Sequence, residues 1–591
     1  MQFTRSPQAI ARTPCEYRFH AFDGTEIFYR HWQGASASTP NKAILLFHRG
    51  HEHGGRMVHV VPELNLLDYD FFAWDARGLG RSSGPRGDAP HFGSLIKDVD
   101  AFVRHVSNQH GVAIDNMLVI AQSFAAVVVA AWVHDFAPPL RGMVLASPAF
   151  KIKLYVPLAR PLLGMMQRLR GKFFVNSYVK ARYLTHDAQR IASYEADPLI
   201  TRPIAAHILL DLYSTAERIT TDAGAIQVPT QLLISGADWV VSQPAQQAFF
   251  NRLGSRVKQC HVLPGFYHDT LGERDRSLAF DRIRPFIQDV FRVRRQRPDL
   301  LDADKAGFTK DEFDRISAPP RSIAATLYWK MSRFWIRVGA TLSTGMRISA
   351  ATGFDSGSTL DYVYRNVAGG VTPLGKMVDR IYLDSIGWRG IRYRKTHLES
   401  LINNAADLLE ADRVPVNVVD IAAGHGRYIL DAFGERGERV DHILLRDYSQ
   451  RNVDAGRKLI ASRRMTRYAE FVQADAFDRA SLAAITPAPT LAVVSGLYEL
   501  FPSNDLIRNS LAGLADAMPS GSYLVYTCQP WHPQLELIAR SLTSHRQGDA
   551  WVMRRRTQAE MDQLCDHAGF DKIDQLADEW GIFTVSLARK R

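Results

Sequence analysis

Apolar and polar positions along the first half of the chain follow two periods. Short apolar runs stand at 42–48, 69–75, 116–122, 142–148, 230–236 and 258–264, each ending in a glycine, proline or polar residue. Longer segments, helical or loop in character, separate them. The short runs predict buried strands and the longer segments predict helices. Their alternation predicts a mostly parallel, doubly wound sheet. Ahead of it, residues 16–33 look like two strands turning at Asp23-Gly24, which predicts a hairpin. The stretch from about 150 to 228 is too long for a simple crossover and reads helical, so a lid inserted between two strands is expected there. A second series begins near 414, with strands at 416–422, 442–448, 469–475, 491–495 and 522–528, and a closing hairpin over 572–588. The expected fold class is α/β in both halves. One domain spans 1–295, a charged linker and helical region spans 296–413, and a second domain spans 414–591.

Composition adds little to that picture, but charge does. The 591 residues are 46% hydrophobic and 23% charged, an ordinary globular balance. Four scattered cysteines without a C-x-x-C pair argue against a zinc site or a disulfide framework. The linker segment "DADKAGFTKDEF" has the outline of a calcium loop. Ala306 and Phe313 stand where oxygen ligands are needed, so no metal is expected, and Thr309 with Glu312 predicts a helix capping box instead. The N-terminus shows no secretory h-region and no run is long enough to span a bilayer. A cytoplasmic protein is expected, at most peripheral at the inner membrane face. The net charge of +11 is uneven: 150–182 and 315–347 carry eight and six basic residues and no acid. Such stretches suit an anionic lipid surface or are the solvated faces of helices. Over 321–350, Ile323, Leu327, Met331, Phe334, Val338, Leu342 and Met346 recur at helical spacing beside Lys330, Arg333 and Arg337. That predicts one amphipathic helix, packed between domains or lying on an anionic membrane.

The run 118–129, "LVIAQSFAAVVV", breaks at a serine between a strand and a helix, as a nucleophile elbow does. Ser123 needs a base, and the base needs an orienting acid. Asp238, after the strand "TQLLIS", and His268, just past the strand near 258–264, follow in the chain order serine, acid, histidine. Gly50 and Phe124 are placed to give oxyanion-hole N–H groups. The motifs "HRGHEHGGR", "DARGLGRSSG", "AQSFA", "LTHD", "GADWVV" and "GFYHDTLGE" resemble the monoacylglycerol lipase and lysophospholipase branch of the α/β-hydrolases, of the serine aminopeptidase S33 type. The resemblance covers about 15–290 and implies a Ser123–His268–Asp238 triad acting on a fatty-acid-type ester. Two departures stand out: Arg49 follows His48 where glycine is usual, and alanines flank the elbow. The lid's Leu154, Leu158, Leu162, Met165, Met166 and Leu169 are spaced for an apolar helix face, which suits an acyl chain or the core.

In the second half "VVDIAAGHGRY" places Asp420, Gly424 and Gly426 in a D-x-x-x-G-x-G turn after a strand, where a backbone can approach a nucleotide-like ligand. Asp447 ends the next strand, where an acid can accept from ribose hydroxyls, and Asp475 ends the third. This series resembles the class I S-adenosylmethionine-dependent methyltransferases. The resemblance implies S-adenosyl-L-methionine as cofactor, with Asp420, Gly424 and Gly426 at its methionine end, Asp447 at the ribose and Asp475 at the adenine. "SGLYELFP" lacks the N/D-P-P-Y/F element of amino-group DNA methyltransferases, which argues against nucleic acid as a partner. Tyr498 and Glu499 are candidate acceptor contacts, core packing being the alternative for Tyr498. With "TGFDSGSTLDYVYRN" and "DSIGWRGIRYRK", the whole chain resembles a bacterial family that fuses the two enzymes. The implied function is an ester hydrolase joined to a methyltransferase for a small molecule or lipid. Acyl transfer in place of hydrolysis, or a membrane-surface scaffold with one inactive domain, is the alternative.

Overall fold

The structure is a computed structural model and describes residues 12–35, 41–153, 158–176, 179–293, 297–434, 439–546 and 548–591. The expected boundary at 295 and the lid residue Leu154 lie outside the described residues. Contacts divide the chain into two compact units, Met1–Pro298 and Asp299–Arg591.

In the first unit, β1 (Cys15–His20), β2 (Glu26–Trp32), β3 (Lys42–Phe47), β4 (Tyr69–Trp74), β5 (Met117–Gln122) and β6 (Gly142–Ala146) precede the lid. The short strands β7 (Phe174–Asn176) and β8 (Pro203–Ala205) lie within it, and β9 (Thr230–Ser235) and β10 (Lys258–Leu263) follow. The main sheet runs β1-β2-β4-β3-β5-β6-β9-β10. β2 is antiparallel to both neighbours, and the pairs from β4 to β10 are parallel. This is the α/β-hydrolase arrangement. Every residue of the central strand β5 is buried, as is every residue from Ala125 to Phe136 in the helix Phe124–Phe136 that follows. A helix apolar all round belongs inside, which explains the long apolar run there. The lid carries helices Ala159–Arg170, Ala188–Ala196 and Ala206–Thr221, and also the antiparallel pair β7 and β8, so it is not wholly helical.

The second unit holds β11 (Asn417–Asp420), β12 (His442–Asp447), β13 (Ala469–Gln473), β14 (Leu491–Val494), β15 (Tyr523–Cys528), β16 (Phe570–Ala577) and β17 (Thr584–Lys590). Its order is β13-β12-β11-β14-β15-β17-β16, with β17 antiparallel between β15 and β16. This is a Rossmann-like sheet with a reversed hairpin at one side. The region expected to stand apart before 414 is part of this unit. The helix Ile386–Ala411 buries Leu398, Leu401, Ile402 and Ala405 in one core with β11, β12 and β17.

Two local expectations differ. The helix Phe308–Ser317 starts at Gly307, and Thr309 and Glu312 meet Arg554 and Arg555 instead of forming a capping box. The amphipathic helix over 321–350 is two helices, Ile323–Leu342 and Thr344–Thr352. Ser343 between them is extended and caps the second by accepting from the Met346 N–H. Among the described residues, no helix is long and apolar enough to cross a membrane.

Candidate functional site

β5 ends at Gln122 and a helix begins at Phe124, so Ser123 alone turns the chain. Its φ of 57° and ψ of −115° cost about 1–3 kcal/mol for a residue with a side chain. Neighbours hold it there: the Ser123 N–H donates to the Ala146 carbonyl (2.9 Å), and its carbonyl accepts from the Ala149 N–H (3.1 Å). The flanking alanines, Ala121 and Ala125, are buried. Thus placed, Ser123 Oγ lies 2.7 Å from His268 Nε2, and His268 Nδ1 lies 2.8 Å from Asp238 Oδ2. A carboxylate at Nδ1 keeps the ring proton on that nitrogen, which leaves Nε2 to accept from the hydroxyl.

Asp238 is itself fixed, its Oδ1 accepting from the N–H groups of Val240 (2.7 Å) and Val241 (2.9 Å). Burial pushes its carboxyl up, but His268 and these N–H groups outweigh burial and hold it below the usual range. Gly50 approaches so closely that a Cβ there would lie 3.3 Å from Phe124 Cβ. Both line one cavity with Ser123 and His268.

Several residues the sequence reading did not single out complete this site. Gln122 Nε2 donates to the His268 carbonyl (3.2 Å) and to Asp269 Oδ1 (3.1 Å). Asp269 is buried, and despite burial the guanidinium groups of Arg190 and Arg49 hold its carboxyl far below the usual range. Arg49, also bonded to Glu52 (2.7 Å), thus has buried acids to meet where glycine is usual. Glu273 accepts from the N–H groups of His186 (2.8 Å) and Tyr267 (3.1 Å), tying the lid to the histidine loop. Only adjacency of Gln122 to Ser123, and of Asp269 to His268, marks these residues in the sequence.

The cavity beside Ser123 is about 520 Å³ and mostly apolar, walled on the lid side by Leu162, Leu163 and Met166. Leu158, Met165 and Leu169 are exposed and Leu162 faces both sides, so the expected apolar face is divided between cavity and solvent. The lid's basic residues are partly used within the fold: Arg160 pairs with Glu217 and Lys172 with Asp88.

In the second unit a cavity of about 1040 Å³ is lined by Gly424, Asp447 and Asp475. Gly424 has a φ of +59°, which the turn asks of glycine, while the close approach is made at Gly357, where a Cβ would lie 2.7 Å from Asn452 Oδ1 and 3.0 Å from Gly424 Cα. Its N–H donates to Asp447 Oδ2 (2.9 Å), while Asp447 Oδ1 accepts from the Ser449 N–H (2.9 Å) and Asn452 Nδ2 (3.0 Å). Burial raises the Asp447 carboxyl against these donors. Asp475 is exposed and accepts from the Phe477 N–H (2.9 Å).

Asp420 and Gly426 are not on that cavity's wall. Asp420 is fully buried under the turn, accepting from the Ala422 N–H (3.2 Å) and the Tyr428 hydroxyl. Burial pushes its carboxyl up to about 7. A Cβ on Gly426 would lie 2.4 Å from Leu445 Cδ1, so this glycine serves packing of the turn on β12. Tyr498 sits in the apolar core with its hydroxyl on Ser510 (3.0 Å), which corrects the expectation of an acceptor contact. Glu499 lines a second, smaller cavity.

With both sites described, comparison places the chain. Residues 283–590 match the family described as "Putative methyltransferase". Over 582 residues the chain is 55% identical to the Escherichia coli (strain K12) protein YnbC, covering 98% of this chain and 99% of that one. The chain belongs to this family. Residues 38–275 match the family described as "Serine aminopeptidase, S33", so in this family member an α/β-hydrolase precedes the methyltransferase-type unit. The chain is also similar to a monoacylglycerol lipase of Mycolicibacterium smegmatis (strain ATCC 700084 / mc(2)155). The two are 24% identical over 282 residues, 47% of this chain and 98% of that one. Among solved structures, Paleococcus ferrophilus monoacylglycerol lipase is 19% identical with a TM-score of 0.40, covering 45% of this chain and 99% of that one.

Proposed function

We propose that the chain is a bifunctional enzyme in which a serine ester hydrolase for a lipid-like ester is joined to an S-adenosylmethionine-dependent methyltransferase. The observation that carries the first half is the continuous line of hydrogen bonds Ser123–His268–Asp238 at the mouth of an apolar cavity. In this reading Ser123 Oγ attacks the ester carbonyl while its proton passes to His268 Nε2, and Asp238 stabilises the imidazolium. The N–H groups of Gly50 and Phe124 receive the oxyanion. His268 then protonates the leaving alcohol, and water repeats the sequence on the acyl-enzyme. A monoacylglycerol or lysophospholipid suits the cavity, whose walls take one acyl chain. Labelling by a fluorophosphonate, lost on changing Ser123 to Ala, tests this half; labelling that survives the change refutes it.

For the second half, the residues fit an adenosyl ligand. Gly424 and Gly357 line the large cavity without side chains, so a ligand edge can approach their backbone. A carboxylate offers about four acceptor directions; Asp447 uses three within the protein, leaving one on Oδ2 for a ribose hydroxyl. S-Adenosylmethionine, when bound, supplies an electrophilic methyl group. The chain's own residues bind and orient: Asp447 accepts from the ribose, Gly424 brings the backbone close, and Asp475 meets the adenine. Calorimetry should show S-adenosylmethionine binding that weakens about tenfold in Asp447→Ala, the loss of one charge-assisted hydrogen bond. Tight NAD binding without S-adenosylmethionine binding would overturn this half.

The same proposal includes a surface. The helix Ile323–Leu342 exposes Ile323 (89%), Leu327 (62%), Met331, Phe334 and Trp335 (61%). Lys330, Arg333 and Arg337 stand beside them, and among the described residues none of the three pairs with an acid. Apolar and aromatic side chains interleaved with cations suit the interface of an anionic bilayer.

A further inference from the structure

Beside the large cavity of the second unit lies a smaller one of about 200 Å³, sharing Asp355, Leu360, Arg394, Gly496 and Leu500 with it. Its wall is mainly apolar and aromatic, with Trp388, Ile391, Ile538, Met553 and Phe583 among the lining side chains. Into this wall are set buried polar groups whose hydrogen-bonding capacity is unspent. Among the described residues, Arg394 Nε, Gln529 Nε2, Trp551 Nε1 and both oxygens of Glu499 lack a hydrogen-bond partner. Weak contacts do reach two of these groups, from Tyr364 to Arg394 and from Thr527 and Glu499's own N–H to the Glu499 carboxylate, but none has the geometry of a full hydrogen bond. His532 lines the same wall, fully buried, and burial lowers it to about 4, so the ring is neutral. Its Nδ1 accepts from the Gln534 N–H (3.0 Å), which puts the ring proton on Nε2, close to the wall residue Gly387.

Native interiors rarely leave buried polar atoms unpaired, since each has given up its bonds to water without replacing them. Five such atoms around one apolar cavity are accounted for by a ligand that brings the missing partners. The balance of groups selects its chemistry. The guanidinium of Arg394 and the carboxylate of Glu499 offset one another in charge, and Asp355 on the shared wall is already engaged by Ser544 and His545, so the ligand is uncharged. Glu499 needs a donor, and the N–H groups of Gln529, Trp551 and His532 need acceptors.

We propose that this cavity seats the methyl acceptor, an uncharged amphiphile whose apolar body carries a hydroxyl beside a second oxygen, and that Glu499 takes the hydroxyl proton. The proposal rests on the methyltransferase reading and deepens it. The hydroxyl oxygen forms the new bond to the methyl carbon of a sulfonium donor. The carbon–sulfur bond breaks with its electron pair going to sulfur, and the hydroxyl proton goes to a Glu499 oxygen. Gln529 and Trp551 donate to the second oxygen, and the aromatic wall holds the apolar body. Glu499 is then a catalytic residue, whereas Gln529 and Trp551 fix the acceptor's orientation.

The test uses the full-length protein with three probes of one chain length: 1-octanol, octanoate and octylammonium. Binding is read as quenching of tryptophan fluorescence, since Trp388 and Trp551 line the cavity, and S-adenosylmethionine binding is measured separately by calorimetry. Octanol should bind tightest of the three. Glu499→Gln, which keeps the shape, should weaken octanol about tenfold with S-adenosylmethionine binding unchanged, and Ile391→Trp should exclude octanol by filling the cavity. If Ile391→Trp does not fold, Met553→Trp serves instead and should exclude octanol in the same way. Tighter binding of octanoate or octylammonium, or octanol affinity indifferent to Glu499→Gln, overturns the proposal. Octanol binding with this pattern in a protein that does not bind S-adenosylmethionine refutes the methyltransferase reading and, with it, the proton transfer to Glu499.

Discussion

Ser123 stores strain that no other residue type relieves without losing the hydroxyl. Glycine tolerates a positive φ and alanine does not. Ser123→Gly should therefore melt above Ser123→Ala in the first unit, by a few degrees in calorimetry, although glycine costs some unfolded-state entropy. Both variants should lose ester turnover by several orders of magnitude, because triad members act as a unit. Asp420 gives a pH signature to the second unit. Its folded value of about 7 stands above the ordinary 3.8. Its contribution is fully present below about 3.8 and is lost as pH rises through 7. That gap corresponds to on the order of 4 kcal/mol. Thermal melts should show the second unit losing stability from pH 5 to 8, and Asp420→Asn should flatten that slope. At this scale Ser123, Asp238 and His268 were legible because each lies within a few residues of a strand's end, and strands show as apolar runs. Gln122, Asp269 and Glu273 were not, because their partners come from distant loops that only the fold assembles. Asp420 showed its position but not its burial, since a strand-end acid reads alike whether it faces a ligand or a tyrosine.

Among the elements, the lid helix Ala159–Arg170 sets one wall of the ester cavity through Leu162, Leu163 and Met166. Met166→Trp should shorten the preferred acyl chain in a series of p-nitrophenyl esters while leaving the acetate ester nearly unaffected. The helix Ile323–Leu342 makes a different prediction. Its cations should be drawn to anionic headgroups by about 1 kcal/mol each. Flotation should show binding to anionic vesicles above neutral ones, weakening with salt, and reversal of Lys330, Arg333 and Arg337 to Glu should remove it. A fall in melting temperature with no flotation in either protein would mean the face packs within the molecule. The helical period of this stretch was readable from 321 onward, but the break was not. Ser343 is a small polar residue that a continuous helix also tolerates, and only its extended backbone shows it capping the second helix. Thr309 and Glu312 matched a capping pattern for the same reason, as local spacing does not reveal that arginines at 554 and 555 claim both side chains.

Over the whole molecule, each unit has its own sheet and its own buried cores. Residues 1–298 and 299–591 expressed separately should each melt cooperatively, the first labelled by fluorophosphonate and the second binding S-adenosylmethionine. Failure of the second piece to fold alone would refute its independence. Two α/β halves were legible because strand and helix periods alternate twice along the chain. The attachment of 299–413 to the second half was not, since its charge and prolines resemble a linker while apolar residues from Leu301 to Leu409 pack in the cores around a sheet that begins only at Asn417. The placement of β17 has a consequence for synthesis. Domains generally fold as units while the chain is being made, and the first sheet is complete once β10 has emerged from the ribosome. The second is not: β15 and β16 are separated by the strand made after both, so until β17 arrives the nascent sheet presents the unpaired edge of β15. Such an edge is a template for pairing with another chain. Pausing translation before residue 584 should therefore leave the second unit open to chaperones and proteases, with the first already closed.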